Sequence, residues 1–402
     1  MKRTVFSGTL AIIIIFLFVT CDFNDEPTIY TGLPVIYIET ENAQTIASKE
    51  IWVGFNIKIV SDNPAHNFEN SDFRHQIRGR GNATWGYPKK PYRIRFREDT
   101  SVFGLTAARN WVLLANWKDA TLLNATIAFE LGKRFGMPFT NNYIHVDVIL
   151  NGNYQGSYLF TEHRSVSDAS VNIDRNDGYL VEIDVYYDED PKFRTPKLDL
   201  PVMIKFPEFS SNVLDPGYNF VKESLFLFDT LLSDINLPNN NYMESLDIDS
   251  FIDYIMINEI VRNQEISHPK SVFMYKDAGE KIAIGPLWDF DWAFGLGSER
   301  SVNLSTAKER SLGGWLFSRF FKDPVFVQKY RDRWNEKYND IITIPAFIDT
   351  MYRQLQKSQE LNDKRWHFSY PNGRPDNYVY EINKLKTWWI NRVEYLNSEI
   401  NK

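Results

Sequence analysis

The feature that most limits how this chain can fold is a change of hydrophobic period near its midpoint. In the first half apolar residues alternate. Trp52, Val53, Phe55, Ile57 and Ile59 mark a strand over Ile51–Val60. Tyr92, Ile94 and Phe96 share one face of a second strand, and Arg93, Arg95 and Arg97 share the other. Pro34–Ile38, the segment opening at Gln76, Asn110–Asn116, Gly178–Val185 and Pro201–Phe206 read the same way. Tyr143–Leu150 and Tyr154–Thr161 flank Asn151-Gly152, a strong hairpin signal. One helix, Asp119–Phe135, interrupts the strands, and Tyr186–Leu200 reads as a polar loop. From Phe220 on the period becomes helical, over Phe220–Ile235, Ser250–Val261, Trp315–Phe321, Pro324–Tyr338, Ile344–Glu360 and Glu381–Glu394. These patterns predict an α+β protein with a β-rich N-terminal lobe (33–210) and a mainly helical C-terminal lobe (211–402), its site between the lobes.

The 402 residues suffice for two or three packed units, and 43% hydrophobic with 15% aromatic residues supplies a large core. A net charge of -7 argues against a general nucleic-acid binder. The N-terminus has the pattern of a targeting segment: Lys2-Arg3, then an uncharged, largely apolar run from Thr4 to Thr20, short for a membrane span. It stops at Cys21, the only cysteine, so no intramolecular disulfide can form. Leu17-Phe18-Val19-Thr20-Cys21 resembles a lipobox, which predicts a signal peptide over 1–21, a lipid anchor at Cys21 and a linker over 22–32. The acidic residues Asp22, Asp25 and Glu26 resemble the surface-export signal of Bacteroidetes lipoproteins. The expected location is therefore extracytoplasmic, at the outer membrane or cell surface of a Gram-negative bacterium.

Two stretches carry candidate chemistry. In Trp288-Asp289-Phe290-Asp291-Trp292 two carboxylates stand among large rings. Charge in apolar surroundings costs several kcal/mol unless something pairs with it. Asp289 and Asp291 are therefore candidate ligands for a hard cation such as Mg²⁺ or Mn²⁺. The structural alternative is two turn-capping aspartates flanked by core aromatics. Upstream, Gly79, Gly81 and Gly86 would let backbone amides approach an anion, with Arg78, Arg80, Lys89 and Lys90 supplying charge. That suits a phosphate cradle, though a solvated basic hairpin has the same composition. Six histidines show no zinc spacing, and no GxSxG elbow is present.

Taken in order, several of these pieces resemble the spore-coat protein H (CotH) kinase family. They are Arg80–Trp85 with Pro88–Phe96, Asn116–Leu131, Asn151–Glu162, Asn263–Asp277, Trp288–Asp291 and Trp388–Arg392. The resemblance implies an atypical protein-kinase-like two-lobed fold that uses ATP and Mg²⁺ or Mn²⁺ to phosphorylate Ser or Thr hydroxyls of a protein acceptor. It implies that Asp289 binds metal, with Asp291 beside it. It implies that Lys90 or Lys89 neutralises nucleotide phosphates along with Arg78 and Arg80, Lys205 being a competing lysine. Glu130 or Glu162 would position that lysine. Where the family often has Asn-x-Asp followed by Asn, this chain has Asn263-Gln264-Glu265 and Ser271. Glu265 can serve as base for the acceptor hydroxyl, and Ser271 is a weaker metal ligand than Asn. The alternatives are a non-catalytic adhesion or scaffold protein (a pseudokinase) and a glycan-handling surface lipoprotein.

Overall fold

The computed structural model describes residues 29–209, 215–234, 236–267, 269–295, 316–367 and 377–402. The signal peptide, Cys21 and most of the predicted linker lie outside them. The architecture is mixed α and β, with the strands concentrated in the first half and the helices in the second.

Seven strands close into a barrel: β1 (Val35–Thr40), β2 (Val53–Val60), β3 (Phe68–Gly79), β4 (Tyr92–Thr100), β5 (Ala108–Leu114), β6 (Ile144–Leu150) and β7 (Asn153–Glu162). Their order is β1-β2-β3-β4-β5-β7-β6, and a parallel pairing of β1 with β6 closes the ring. Alternation supplies the interior: Phe55, Ile77, Ile94, Phe96, Trp111 and Phe160 are fully buried there. Closure was not evident in the sequence, because β1 and β6 are far apart in the chain. Asn151 and Gly152 both take positive φ, as a two-residue hairpin between β6 and β7 requires.

A second sheet runs β12-β11-β8-β10-β9, formed by β8 (Tyr179–Ile183), β9 (Lys192–Arg194), β10 (Pro201–Phe206), β11 (Val272–Lys276) and β12 (Ala283–Ile284). Strand β9 falls inside the predicted polar loop, where Arg194 pairs with Pro201 of β10. The sheet joins strands from both sides of residue 210, since β8 pairs with β11.

Helix α1 (Asn124–Phe135) starts five residues later than its periodicity suggests. The Asp119 carboxylate accepts from the Thr121 and Asn124 amides at 2.8 and 2.7 Å, and Leu122 has φ +62, so 119–123 is a capped loop. After α2 (Pro216–Ser233) and the single turn α3 (Tyr242–Ser245) comes α4 (Ile248–Ile260), buried on nearly all sides. Helices α5 (Pro324–Ile342), α6 (Ile344–Trp366) and α7 (Tyr378–Ile400) complete the core shared with the second sheet and α1. Both α6 and α7 outrun their apolar repeats, because their last turns are held by packing. Trp366 of α6 donates to the Gln155 carbonyl of β7 at 2.8 Å. No described helix is long and apolar enough to cross a membrane.

Candidate active site

The strand before Trp288 ends early. β12 is two residues long, and 285–295 is a loop against α1 and α4. Trp288 and Phe290 are buried, and both rings pack on Phe129 of α1. Asp289 and Asp291 alternate with them and are only half-buried. The aromatics are therefore core, as the structural alternative has it, but the carboxylates are not turn caps buried with them. Asp289 has φ +61, an uncommon conformation for a non-glycine residue.

Asn263 holds this loop beside the end of α4. Its side-chain amide donates to the Asp289 carbonyl and to Asn258 Oδ1, both at 3.1 Å. Its Oδ1 accepts from the Glu265 amide at 3.1 Å. One buried asparagine thus fixes the backbones of Asp289 and Glu265 relative to each other. Lys270 Nζ lies 3.3 Å from Glu265 Oε2 and 5.3 Å from the centre of the Trp292 ring.

Opposite the carboxylates stand two arginines on the Trp288 ring. Arg164 lies 3.8 Å from the ring centre and Arg80 5.5 Å. Arg80 arrives from the turn after β3, where the Trp85 ring covers Gly79 so closely that a Cβ there would lie 2.3 Å from it. Arg164 follows β7. Its Nε and Nη1 are buried without a hydrogen-bond partner among the described residues. Arg80, Asp291, Asn116 and Trp117 line a small pocket.

The charges perturb one another strongly. Burial, and then the Asp289 charge, pushes Glu265 up to about 7 against the pull of Lys270. Burial and Asp289 likewise raise Asp291 to about 7. Asp289 itself is raised by burial, with Arg80, Arg164 and Lys270 opposing. Burial, with a smaller contribution from Glu182, raises Asp184 to about 6. Burial lowers Arg164 to about 9, against the pull of Glu182. Such mutual strain among converging titratable groups is typical of sites built to receive other charges.

Arg80, Glu265, Asp289 and Asp291 thus come together, Lys89 borders the pocket between Arg80 and Asp291, and the other candidates stand elsewhere. Arg78 lies one step outward on β3, 4.5 Å from the Trp52 ring centre. Lys90 donates to the Trp85 carbonyl at 2.7 Å. Lys89 is buried and ties α6 to the barrel, bonding Ser157 O and, at 2.8 Å, Asn362 Oδ1. Glu130 binds Arg134 at 2.7 Å, and Glu162 accepts from the amide and side chain of Asn142. Neither glutamate makes an ion pair with Lys89 or Lys90. Ser271 (φ +52) gives its amide to Asp184 Oδ2 at 2.9 Å. The lysine–glutamate pair close to the site is Lys205 with Glu182, at 3.1 Å. Glu182 acts electrostatically on both Asp289 and Arg164.

Sequence reasoning missed Arg164, Lys270, Asp184 and Glu182. An isolated Arg after a strand carries no local signal, and its stacking on Trp288 depends on a contact across more than a hundred residues. Among the described residues no three His, Cys, Asp or Glu side chains are arranged to hold a metal ion by themselves. The donor set still fits a divalent cation shared with phosphate. Mg²⁺ often takes one or two carboxylates and completes its shell with water and phosphate oxygens. The unpartnered Arg164 nitrogens suit the phosphate.

A family model described as CotH kinase protein matches residues 77–396, which include every residue of this cluster. No curated protein matches the chain.

Proposed function

This chain belongs to the CotH kinase family, and we propose that it is an atypical kinase of two-lobed, protein-kinase-like design that moves the terminal phosphate of a nucleotide to Ser or Thr hydroxyls of a protein acceptor. The observation that carries this is the Asn263 bridge. It sets a base candidate, Glu265, beside the carboxylate pair Asp289 and Asp291, across from two arginines on Trp288.

Asp289 and Asp291 would hold Mg²⁺ or Mn²⁺. Such an ion supplies charge neutralisation on the phosphates. Arg80 and Arg164 would bind phosphate oxygens, and their stacking on Trp288 orients both guanidiniums before any ligand arrives. Lys205, braced by Glu182, would serve in the role expected of Lys90. Glu265 would accept the acceptor's hydroxyl proton as that oxygen bonds to the terminal phosphorus and the bond to the bridging oxygen breaks. A group titrating near 7 is well matched to that task at neutral pH. The extra methylene of glutamate over aspartate is accommodated by Lys270, which holds its carboxylate. The signal-like N-terminus and Cys21 support a lipid-anchored protein acting outside the cytoplasm.

The test is incubation of the purified chain with γ-labelled ATP, Mn²⁺ or Mg²⁺ and protein acceptors. Acid-stable label on serine or threonine is expected. Nucleotide binding without any transfer would instead identify a pseudokinase scaffold, the reading favoured by the engagement of Lys89 and Lys90 elsewhere.

A further inference from the structure

The outer face of β3 and β4 carries a row of arginines that the phosphate-transfer chemistry does not use. Arg78 and Arg95 lie 4.5 and 4.2 Å from the centre of the Trp52 ring, and Arg93 lies 5.7 Å from it. In the sheet Arg78 is opposite Arg93, and Arg95 is opposite Gln76. Three like charges are therefore held side by side on a half-buried face. Burial and the neighbouring Arg78 and Arg95 depress Arg93 to about 10. The Nε atoms of Arg78 and Arg93 are buried without an acceptor, and none of the three forms a salt bridge with a described residue. From the opposite sign Glu189 acts on Arg93 and Glu208 on Arg95. In a chain of net charge -7 this is a concentrated exception. Arg80, two residues beyond Arg78 and just past the end of β3, lines a pocket together with Asp291.

We propose that this arginine row is the docking track for an acidic polypeptide, and that the acceptor carries Asp, Glu or phosphoserine a few residues from its reacting hydroxyl. The inference rests on the transferase assignment above and names its substrate class. Arg guanidiniums bind carboxylate and phosphate oxygens through paired N–H groups, which suits such a chain. The spacing sets the register. From the Arg80 level to the Arg95 level is about four residues of strand, roughly 13 Å, so an extended acceptor would place its acidic residues about two to four positions from the hydroxyl. A nucleic acid fits less well. The Trp52 ring is already covered by guanidiniums, so no base can stack on it.

The experiment uses the full chain and two fluorescein-labelled peptides, one with a serine followed by glutamates at the second to fourth positions, the other with lysines there. Anisotropy gives affinity without requiring turnover, and labelled ATP gives transfer. The acidic peptide should bind at least about tenfold more tightly than the basic one, with an affinity that falls as salt rises. Arg95→Glu should raise its Kd and KM about tenfold, leave kcat and nucleotide affinity unchanged, and shift preference toward the lysine peptide. Arg95→Lys should recover part of the loss. Equal binding of both peptides, or no effect of Arg95→Glu, overturns the docking track. So does tighter binding of a single-stranded oligonucleotide than of the acidic peptide. Arg95-dependent binding with no phosphate transfer retains the track and removes the transferase assignment. Transfer to both peptides with equal KM does the reverse.

Discussion

Two arginine–aspartate clusters in this protein have opposite designs. Where α5 meets α4, Arg333 clamps Asp253 through two bonds of 2.7 and 2.8 Å, and it also caps the Phe135 carbonyl at the end of α1 at 2.7 Å. Each charge there has its partner within the protein: the hydrogen bonds to Asp253 raise the Arg333 guanidinium above its ordinary value, and burial raises the Asp253 carboxyl against the direct pull of those bonds. Beside the pocket, Arg80 and Arg164 face Asp289 and Asp291 without such bonds. Burial raises both carboxyls, and Arg164 nitrogens lie buried and unpartnered. Charges that serve architecture are satisfied on folding. Charges that await a ligand are held apart, which costs stability and leaves their binding capacity for that ligand.

This contrast can be broken by substitution. Asp289→Ala should lower phosphate transfer by at least about a thousandfold, since Asp291 alone would leave the metal one carboxylate short. The melting temperature without ligand should hold or rise. A variant that unfolds instead would place Asp289 with the architectural charges. Arg333→Ala should do the opposite. It leaves Asp253 buried without its clamp and should cost about 2–3 kcal/mol in urea unfolding, with kcat for the folded fraction unchanged. A loss of kcat at full stability would erase the distinction between the clusters.

Glu265→Gln sharpens the comparison within the site. It keeps the shape and removes the base, so kcat should fall about a hundredfold while nucleotide affinity is retained. A fall in nucleotide affinity with kcat preserved would make Glu265 a binding group. The smallest effect concerns Asp291. Its folded pKa, about 7, lies above its ordinary 3.8. Between those values the folded protein holds a proton that the unfolded chain has lost, so stability falls as pH rises through that window. Asp291→Asn should therefore stabilise the metal-free protein above pH 7 and leave it unchanged below pH 4, as read from denaturant midpoints. Equal stabilisation at both pH values would show that the charge is not the cause.

The period change was enough to divide the chain into strands and helices. The Asn151-Gly152 hairpin, the alternation of β4 and the buried α4 all follow from local pattern, because a strand's faces and a helix's stripe are written in consecutive residues. The Trp288–Trp292 stretch was legible for a related reason: acids among aromatics are conspicuous wherever they fold. The pairing of lysine with glutamate was not. Lys89 and Lys90 have the composition of a phosphate cradle, yet one seals α6 against β7 and the other folds back on Trp85. Glu130 and Glu162 are spent on Arg134 and Asn142. A lysine's role depends on which acceptors lie within a few ångströms of its ammonium, and those come from distant segments.

By itself, then, the sequence determined the two structural halves and the basic strand faces, and it singled out Asp289 and Asp291 as candidates, with Glu265 added by the family resemblance. The tertiary structure alone decided that the strands close into a barrel and that Asn263 locks Asp289 to Glu265. It also decided that Arg164, with no motif around it, lies on Trp288 opposite them. The physical reason is one of range. Hydrophobic period and charge type act between neighbours in the chain, whereas stacking and hydrogen bonding act over a few ångströms between residues that only packing brings together.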